Sequence, residues 1–162
     1  MSTFNGLPAH VLFVHFIVVL APLTAALAIL CALWPAARQR LVWLVLALAG
    51  AVAVLTPLTT EAGEYLEHHV ARTPLLHTHA ELGDTMIVFA GGLLVAAVLI
   101  AVVHLRAGRG KPVSTVLNAI VAVVVLVAGV GTIVQVYRIG DSGAKATWSE
   151  IPLTSSSGEG GE

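Results

Sequence analysis

Charged side chains are scarce in this sequence. Of its 162 residues, 10% are Asp, Glu, Lys or Arg and 57% are hydrophobic, whereas a soluble domain usually carries about 25% charged residues. This shortage indicates a membrane protein. Cysteine is nearly missing too, because Cys31 is the only one. An internal disulfide and any zinc or iron–sulfur site built from several cysteines are therefore excluded.

Several catalytic and binding motifs are also missing. The sequence contains no H-E-x-x-H, no G-x-S-x-G and no Gly-rich phosphate loop, which are signatures of zinc proteases, serine hydrolases and phosphate-binding sites. It has no basic patch that would favour nucleic acid as a partner. No charged residue interrupts the apolar runs, which argues against a proton pump or a voltage sensor. Enzymatic activity stays open, with a redox or accessory membrane role favoured over hydrolysis.

Four apolar runs make up most of the chain. Each is long enough to cross a hydrocarbon core of ~30 Å as a helix, and lipid cannot satisfy the free backbone groups of other structures. We therefore predict an all-α integral membrane protein, with residues 1–139 forming an up-down-up-down bundle of four transmembrane helices. The helices are expected at about 8–34, 38–69, 74–105 and 112–138. The polar segment 140–162 is predicted to be a disordered tail.

The distribution of charge predicts the orientation. The loops near residues 35–40 and 104–112 carry five basic residues and no acid, whereas all nine acids lie in segment 59–84 or in the tail. The positive-inside rule then puts both basic loops in the cytoplasm and both termini outside. Helices 2 and 3 are expected to extend beyond the bilayer on the outer side. This topology is that of a multi-pass protein of a bacterial plasma membrane.

Histidines are concentrated on the predicted outer side. Four of the seven lie within residues 61–84, and His10 and His15 begin the first helix at the same level. His15 stands inside an uninterrupted apolar run, where a polar side chain needs a partner. Six histidines from three helices are therefore expected near one leaflet.

One chemistry that fits this cluster is haem b held by two histidines from different helices. Axial ligands must face each other at similar depth in the bundle. Counting residues from the outer helix ends pairs His79 with His15, while counting from the cytoplasmic ends pairs His79 with His10. Both pairs stay open, and His77 is a further candidate ligand.

A second chemistry is a zinc, copper or iron site that combines histidines with Glu61 or Glu64. Glu64 and His68 are the only Glu/His pair on one face of helix 2, because they are four residues apart. These three residues are alternative ligands or orienters of a ligand. Two further interpretations need no cofactor: a structural or interaction subunit whose histidines only hydrogen-bond, and a pH sensor.

Three short segments resemble a known family. His10 followed by Val-His-Phe at 14–16 and by Pro22, the segment TTEAGE at 59–64 and the segment HAELGD at 79–84 are similar to motifs of small bacterial four-helix membrane proteins. That family is catalogued as domain of unknown function 2231. The resemblance covers about residues 5–137, although the prolines usual after His10 and Phe16 are replaced by Val11 and Ile17.

The resemblance implies an electron-transfer role. Some members of the family are fused to Rieske-type or c-type cytochrome modules, and this chain has neither, so its redox partner would be a separate periplasmic or membrane protein. The bilayer itself and a second copy of the chain are the other expected partners.

Overall fold

The structure, a computed structural model, describes residues 3–4, 7–67, 73–111 and 113–148. Four long helices dominate it: α1 (Ala9–Leu33), α2 (Pro35–Glu67), α3 (Pro74–Gly108) and α4 (Thr115–Trp148). Two-residue strands, β1 (Thr3–Phe4) and β2 (Leu7–Pro8), form a short antiparallel pair before α1. The predicted all-α class is confirmed, apart from this small ladder.

The helices form a ring in chain order. α1 packs against α2 and α4, α3 packs against the same two helices, and α1 meets α3 across the middle. Because successive helices run in opposite directions, this is the predicted up-down-up-down bundle. All four helices are long and apolar enough to cross a membrane. Which end faces the cytoplasm stays a prediction.

Both ends of α3 have a local cause. At the start of α3, the Thr73 hydroxyl accepts a hydrogen bond from the Leu76 N–H at 3.2 Å, and Pro74 occupies the first turn. Both residues suit a helix N-terminus, since proline has no N–H to leave unpaired. α3 ends before Gly110, whose φ of 67° is in the left-handed region that glycine adopts without strain.

Small side chains fill the middle of the bundle. Ala21, Ala25, Ala28 and Ala49 are completely buried, so neighbouring helices approach closely, as in other membrane bundles. Many valines and leucines point outward instead, for example Val127, which is 70% exposed. An apolar exterior is the expected surface of a protein that faces lipid rather than water.

The first hairpin (α1 and α2) and the second hairpin (α3 and α4) bury the same positions. At one constant spacing, buried residues of α1 correspond to buried residues of α3: Ile17 to Met86, Ala21 to Ala90, Thr24 to Leu93, Ala28 to Ala97 and Cys31 to Ile100. At another constant spacing, α2 corresponds to α4: Val45 to Val125, Ala49 to Gly129, Val52 to Thr132 and Thr56 to Val136. The bundle is therefore an approximate two-fold repeat of one helical hairpin.

Two polar residues of α4, Gln135 and Asn118, make interhelical hydrogen bonds. The Gln135 amide donates to the Leu82 carbonyl at 2.9 Å and to the Thr85 hydroxyl at 2.7 Å. At the other end of the bundle, Arg38 donates to the Asn118 side chain at 3.4 Å. Both contacts hold α4 against a neighbouring helix.

The predicted end of the fourth helix is wrong. α4 continues to Trp148, ten residues past 138, so 140–148 is helical rather than a disordered tail. An ion pair between Lys145 and Asp141 at 2.7 Å and contacts with α3 support this extra length. Residues 149–162 lie outside the described part of the chain, as do His68 and its neighbours up to residue 72.

Candidate functional site

A cavity of about 270 Å³ lies at one end of the bundle. We call this end, which contains the starts of α1 and α3 and the ends of α2 and α4, the histidine end. All four helices contribute to the cavity wall, which includes His10, Ile17, Thr59, Glu64, His79 and Ile139. Two of the predicted ligands, His10 and His79, therefore share one cavity.

His10 is held against α2. Its Nδ1 lies 3.0 Å from the Thr59 carbonyl oxygen, and a carbonyl oxygen can only accept, so Nδ1 carries the proton. The ring also lies on Gly63, where an added Cβ would be 3.0 Å from both Cε1 and Nδ1 of the imidazole. Glycine at this position lets the ring reach the carbonyl.

His79 is held against α4 in the same way. Its Nδ1 lies 3.1 Å from the Ile139 carbonyl oxygen and 3.1 Å from the Ser142 hydroxyl. Ser142 itself donates to Ile139 at 2.9 Å. The ring lies on Gly143, where a Cβ would be 3.0 Å from Cε1.

The two histidines are therefore equivalent positions of the two hairpins. In each hairpin the acceptor carbonyl, Thr59 or Ile139, is followed four residues later by the glycine that contacts the ring. Because both Nδ1 atoms donate, each neutral imidazole keeps a free lone pair on Nε2. Two such acceptors at one cavity can bind a metal atom or accept hydrogen bonds from a ligand.

Helix geometry explains why these two histidines meet. His10 lies two turns before buried Ile17, and His79 lies two turns before buried Met86. At 3.6 residues per turn, a separation of seven residues returns to within about 20° of the same direction. Both imidazoles therefore share the inward face of their helix.

His15 and His77 lie on other faces. His15 is two residues before Ile17, about 200° around α1, and it is exposed, with Nδ1 donating to the Val11 carbonyl of its own helix. His77 is exposed as well and pairs with Glu81 at 3.5 Å. The structure therefore brings His79 together with His10, and does not bring it together with His15 or His77.

The predicted carboxylates are divided between the cavity and the surface. Both Glu61 and Glu64 are exposed, but only Glu64 contributes to the cavity wall. His68, the third residue of this set, is outside the described residues. Within the described ranges, no three His, Cys, Asp or Glu side chains are close enough to hold one metal ion.

The comparison with known families agrees with this architecture. The model of a family described as "Predicted membrane protein (DUF2231)" matches residues 6–151. The chain belongs to this family. The predicted resemblance is thus confirmed, and the match continues past residue 137 through the extended part of α4. No curated protein and no solved structure matches the chain.

Sequence reasoning missed the residues that position the two histidines in this family member. Thr59 and Gly63 lie in the segment TTEAGE that resembles a family motif, but sequence reasoning gave them no role, and no motif marks Ile139, Ser142 and Gly143. A signal was present, because Thr59 and Gly63 are followed at one constant spacing by Ile139 and Gly143. Comparing the two halves of the chain would have found it.

Proposed function

We propose that this membrane protein binds haem b between α1 and α3 and transfers electrons, with His10 and His79 as the two axial ligands. One observation carries the proposal: the two imidazoles share a cavity, and each donates its Nδ1–H to a backbone carbonyl. Histidines that ligate metals usually have this second hydrogen bond, which fixes the tautomer and the ring orientation.

The number of donors favours haem over an isolated metal ion. A porphyrin supplies four of the six iron ligands, so two histidines complete the set. Zinc needs three or four protein ligands, and the further candidates in the cavity wall are the carboxylates of Glu64, Glu67 and Asp84. A zinc, copper or iron ion could instead be held by His10, His79 and Glu64. These three side chains would first have to move closer together.

The size of the cavity sets a condition on haem binding. Its volume of about 270 Å³ is slightly below the range of about 300–1,000 Å³ common for ligand sites. A porphyrin would therefore need flexible wall side chains such as Leu66 and Leu76 to move aside. The wall is mostly apolar, which suits the macrocycle.

Under this proposal the haem lies in the outer leaflet of a bacterial plasma membrane, because the basic loops are at the opposite end of the bundle. Electrons would then pass to or from a periplasmic or membrane redox protein. Electron exchange with such a partner would take place at the histidine end.

The test is an absorption spectrum of the purified protein in detergent, with haem added if none is retained. We expect a low-spin spectrum with one haem per chain, and loss of that spectrum in His10→Ala and in His79→Ala. Exogenous imidazole should restore part of the absorbance, because it can take the vacated axial position.

Two matched variants control this experiment. His15→Ala and His77→Ala also remove an imidazole from α1 and α3, but from exposed faces, so they should keep the full spectrum. No haem absorbance in the unsubstituted protein, or unchanged absorbance in the double variant of His10 and His79, contradicts the proposal. Metal analysis of the same samples separates haem from a bound zinc or copper ion.

A second candidate is a structural membrane subunit without a cofactor. It is supported by the same two hydrogen bonds, since His10 already connects α1 to α2 and His79 connects α3 to α4. In that case His10→Ala and His79→Ala should lower the stability of the bundle, and no spectrum should appear under any loading condition.

A further inference from the structure

A second groove lies between α3 and α4 at the histidine end. It has a volume of about 220 Å³, and none of its lining residues also lines the histidine cavity. Leu75, Leu82 and Tyr137 form its apolar wall, and Arg138, Asp141 and Lys145 form its charged wall. The groove therefore has an apolar side and a basic side.

Among the described residues, one cation of the groove has no partner. Lys145 donates to Asp141 at 2.7 Å, and Asp141 is the only acid among the described residues that line the groove. Arg138 makes no hydrogen bond or ion pair with any described residue. Its guanidinium can therefore donate two parallel hydrogen bonds to an anion from outside the chain.

These basic residues are not required by the packing of the hairpin. At the equivalent positions of α2, Arg138 is replaced by Leu58 and Lys145 by Tyr65, although the two hairpins bury the same faces. The other charged residues on the described parts of α2 and α3 at the histidine end are acidic: Glu61, Glu64, Glu67, Glu81 and Asp84. A basic groove in this setting indicates a function for the charge.

The position along α4 identifies the kind of ligand. The apolar part of α4 runs from Thr115 to Tyr137, about 23 residues or ~34 Å of helix, which matches a hydrocarbon core of ~30 Å. Arg138 is thus the first residue at the level of the lipid headgroups, and Tyr137, 73% exposed, is an interfacial aromatic. Leu82, whose carbonyl accepts from Gln135, is level with the end of the apolar part of α4, so an acyl chain could lie against it, whereas Leu75 lies further out, at the level of the headgroups.

We propose that this groove binds an anionic phospholipid, with the headgroup phosphate on Arg138 and Lys145 and an acyl chain against Leu82 and Tyr137 at the inner end of the apolar wall. The proposal does not depend on haem binding, since Arg138, Lys145 and Leu82 do not line the histidine cavity. It assigns the second hairpin a lipid contact that the first hairpin lacks.

Fluorescence quenching by brominated lipids tests this proposal at the groove itself. The chain has three tryptophans, Trp34, Trp43 and Trp148, all exposed. Replacing them with Phe and introducing Tyr137→Trp leaves one fluorophore in the groove wall. The protein is reconstituted in vesicles of phosphatidylcholine and phosphatidylglycerol, with either lipid brominated at equal mole fraction.

We expect brominated phosphatidylglycerol to be enriched at the fluorophore about fivefold over brominated phosphatidylcholine. Arg138→Gln with Lys145→Gln should remove this enrichment. Arg106→Gln, an exposed cation at the other end of the bundle, is the matched control and should leave it unchanged. Equal quenching by the two lipids, or enrichment that survives the double substitution, overturns the proposal.

Two further arms separate a lipid site from simpler alternatives. Thr78→Leu fills the groove without changing its charge, so it should lower the enrichment. If the enrichment is unchanged, surface charge alone attracts the lipid and the groove is not a site. Inorganic phosphate at constant ionic strength should not displace the lipid, and displacement would identify a site for free phosphate instead.

Discussion

The two hairpins of this protein share a framework but carry different surface chemistry. Each presents one histidine from its first helix to a carbonyl and a glycine of its second helix: His10 to Thr59 and Gly63, and His79 to Ile139 and Gly143. Outside this contact they diverge, because only the second hairpin has Arg138 and Lys145 facing a groove. The shared part is the part that forms the central cavity.

This difference shows which features the bundle requires. Contacts that recur in both hairpins bring two helices together and orient an imidazole, so they belong to the architecture and to the proposed haem site. Features found in one hairpin alone are not needed for packing, and they are better explained by binding at the surface. The following substitutions test how far the equivalence of the two hairpins extends.

The largest effect is expected from enlarging the two glycines beneath the imidazoles. Gly63→Val and Gly143→Val introduce atoms that collide with the imidazole ring, because even a Cβ would lie 3.0 Å from it. Overpacking of this kind typically costs about 1–3 kcal/mol. We expect both variants to lose similar amounts of unfolding free energy, measured in mixed detergent micelles.

The matched controls are Gly50→Val on α2 and Gly91→Val on α3, where an added Cβ meets nothing within 4 Å. These variants should be much less destabilised. If Gly63→Val lowered the unfolding free energy and Gly143→Val did not, the two hairpins would not be equivalent.

A smaller effect is expected from removing the interhelical hydrogen bonds while keeping side-chain bulk. His10→Leu and His79→Leu each remove a donor to a backbone carbonyl, which is worth about 0.5–1.5 kcal/mol. The loss should be somewhat greater at His79, because its Nδ1 also contacts the Ser142 hydroxyl. The unfolding free energy of the protein without haem measures both losses, and the exposed His15→Leu is the control. No change in either variant would show that these bonds do not stabilise the bundle.

The smallest effect is expected from the serine that distinguishes the two histidine contacts. The position in α2 equivalent to Ser142 is Ala62, so Ser142→Ala gives the second hairpin the residue that the first hairpin has at this position. We expect a loss of about 0.6 kcal/mol or less, typical of a single hydrogen bond in a membrane bundle. Combining Ser142→Ala with His79→Leu should add almost nothing to His79→Leu alone, and full additivity would mean that the hydroxyl acts elsewhere.

Much of the fold could be predicted from the sequence. The apolar runs predicted four helices in the right order, and the resemblance to the family was correct over most of the chain. The boundary at residue 138 was wrong because the polar composition beyond it suggested a tail. Contacts with the neighbouring helix α3, including His79 with Ile139 and Ser142, join residues that are far apart in the sequence and leave no local signal.

The site was predicted only in part. His79 and His10 were one of two open pairs, and the structure joins these two at a cavity while His15 lies on the outside of α1. Depth along the helix could be counted from the sequence, and both candidate pairs satisfied it. The rotation of α1 decided between them, and that rotation follows from the burial of Ile17, Ala21 and Ala28 against other helices.

The sequence by itself determined the membrane class, the four spans and their alternation, because the hydrocarbon core demands about 20 apolar residues per crossing and satisfied backbone groups throughout. Only the tertiary structure decided which histidines meet and where α4 ends. A side chain's partner depends on which face of its helix is buried against a neighbour. In a chain whose helices are apolar on every side, that face is chosen by close packing of small residues such as alanine and glycine.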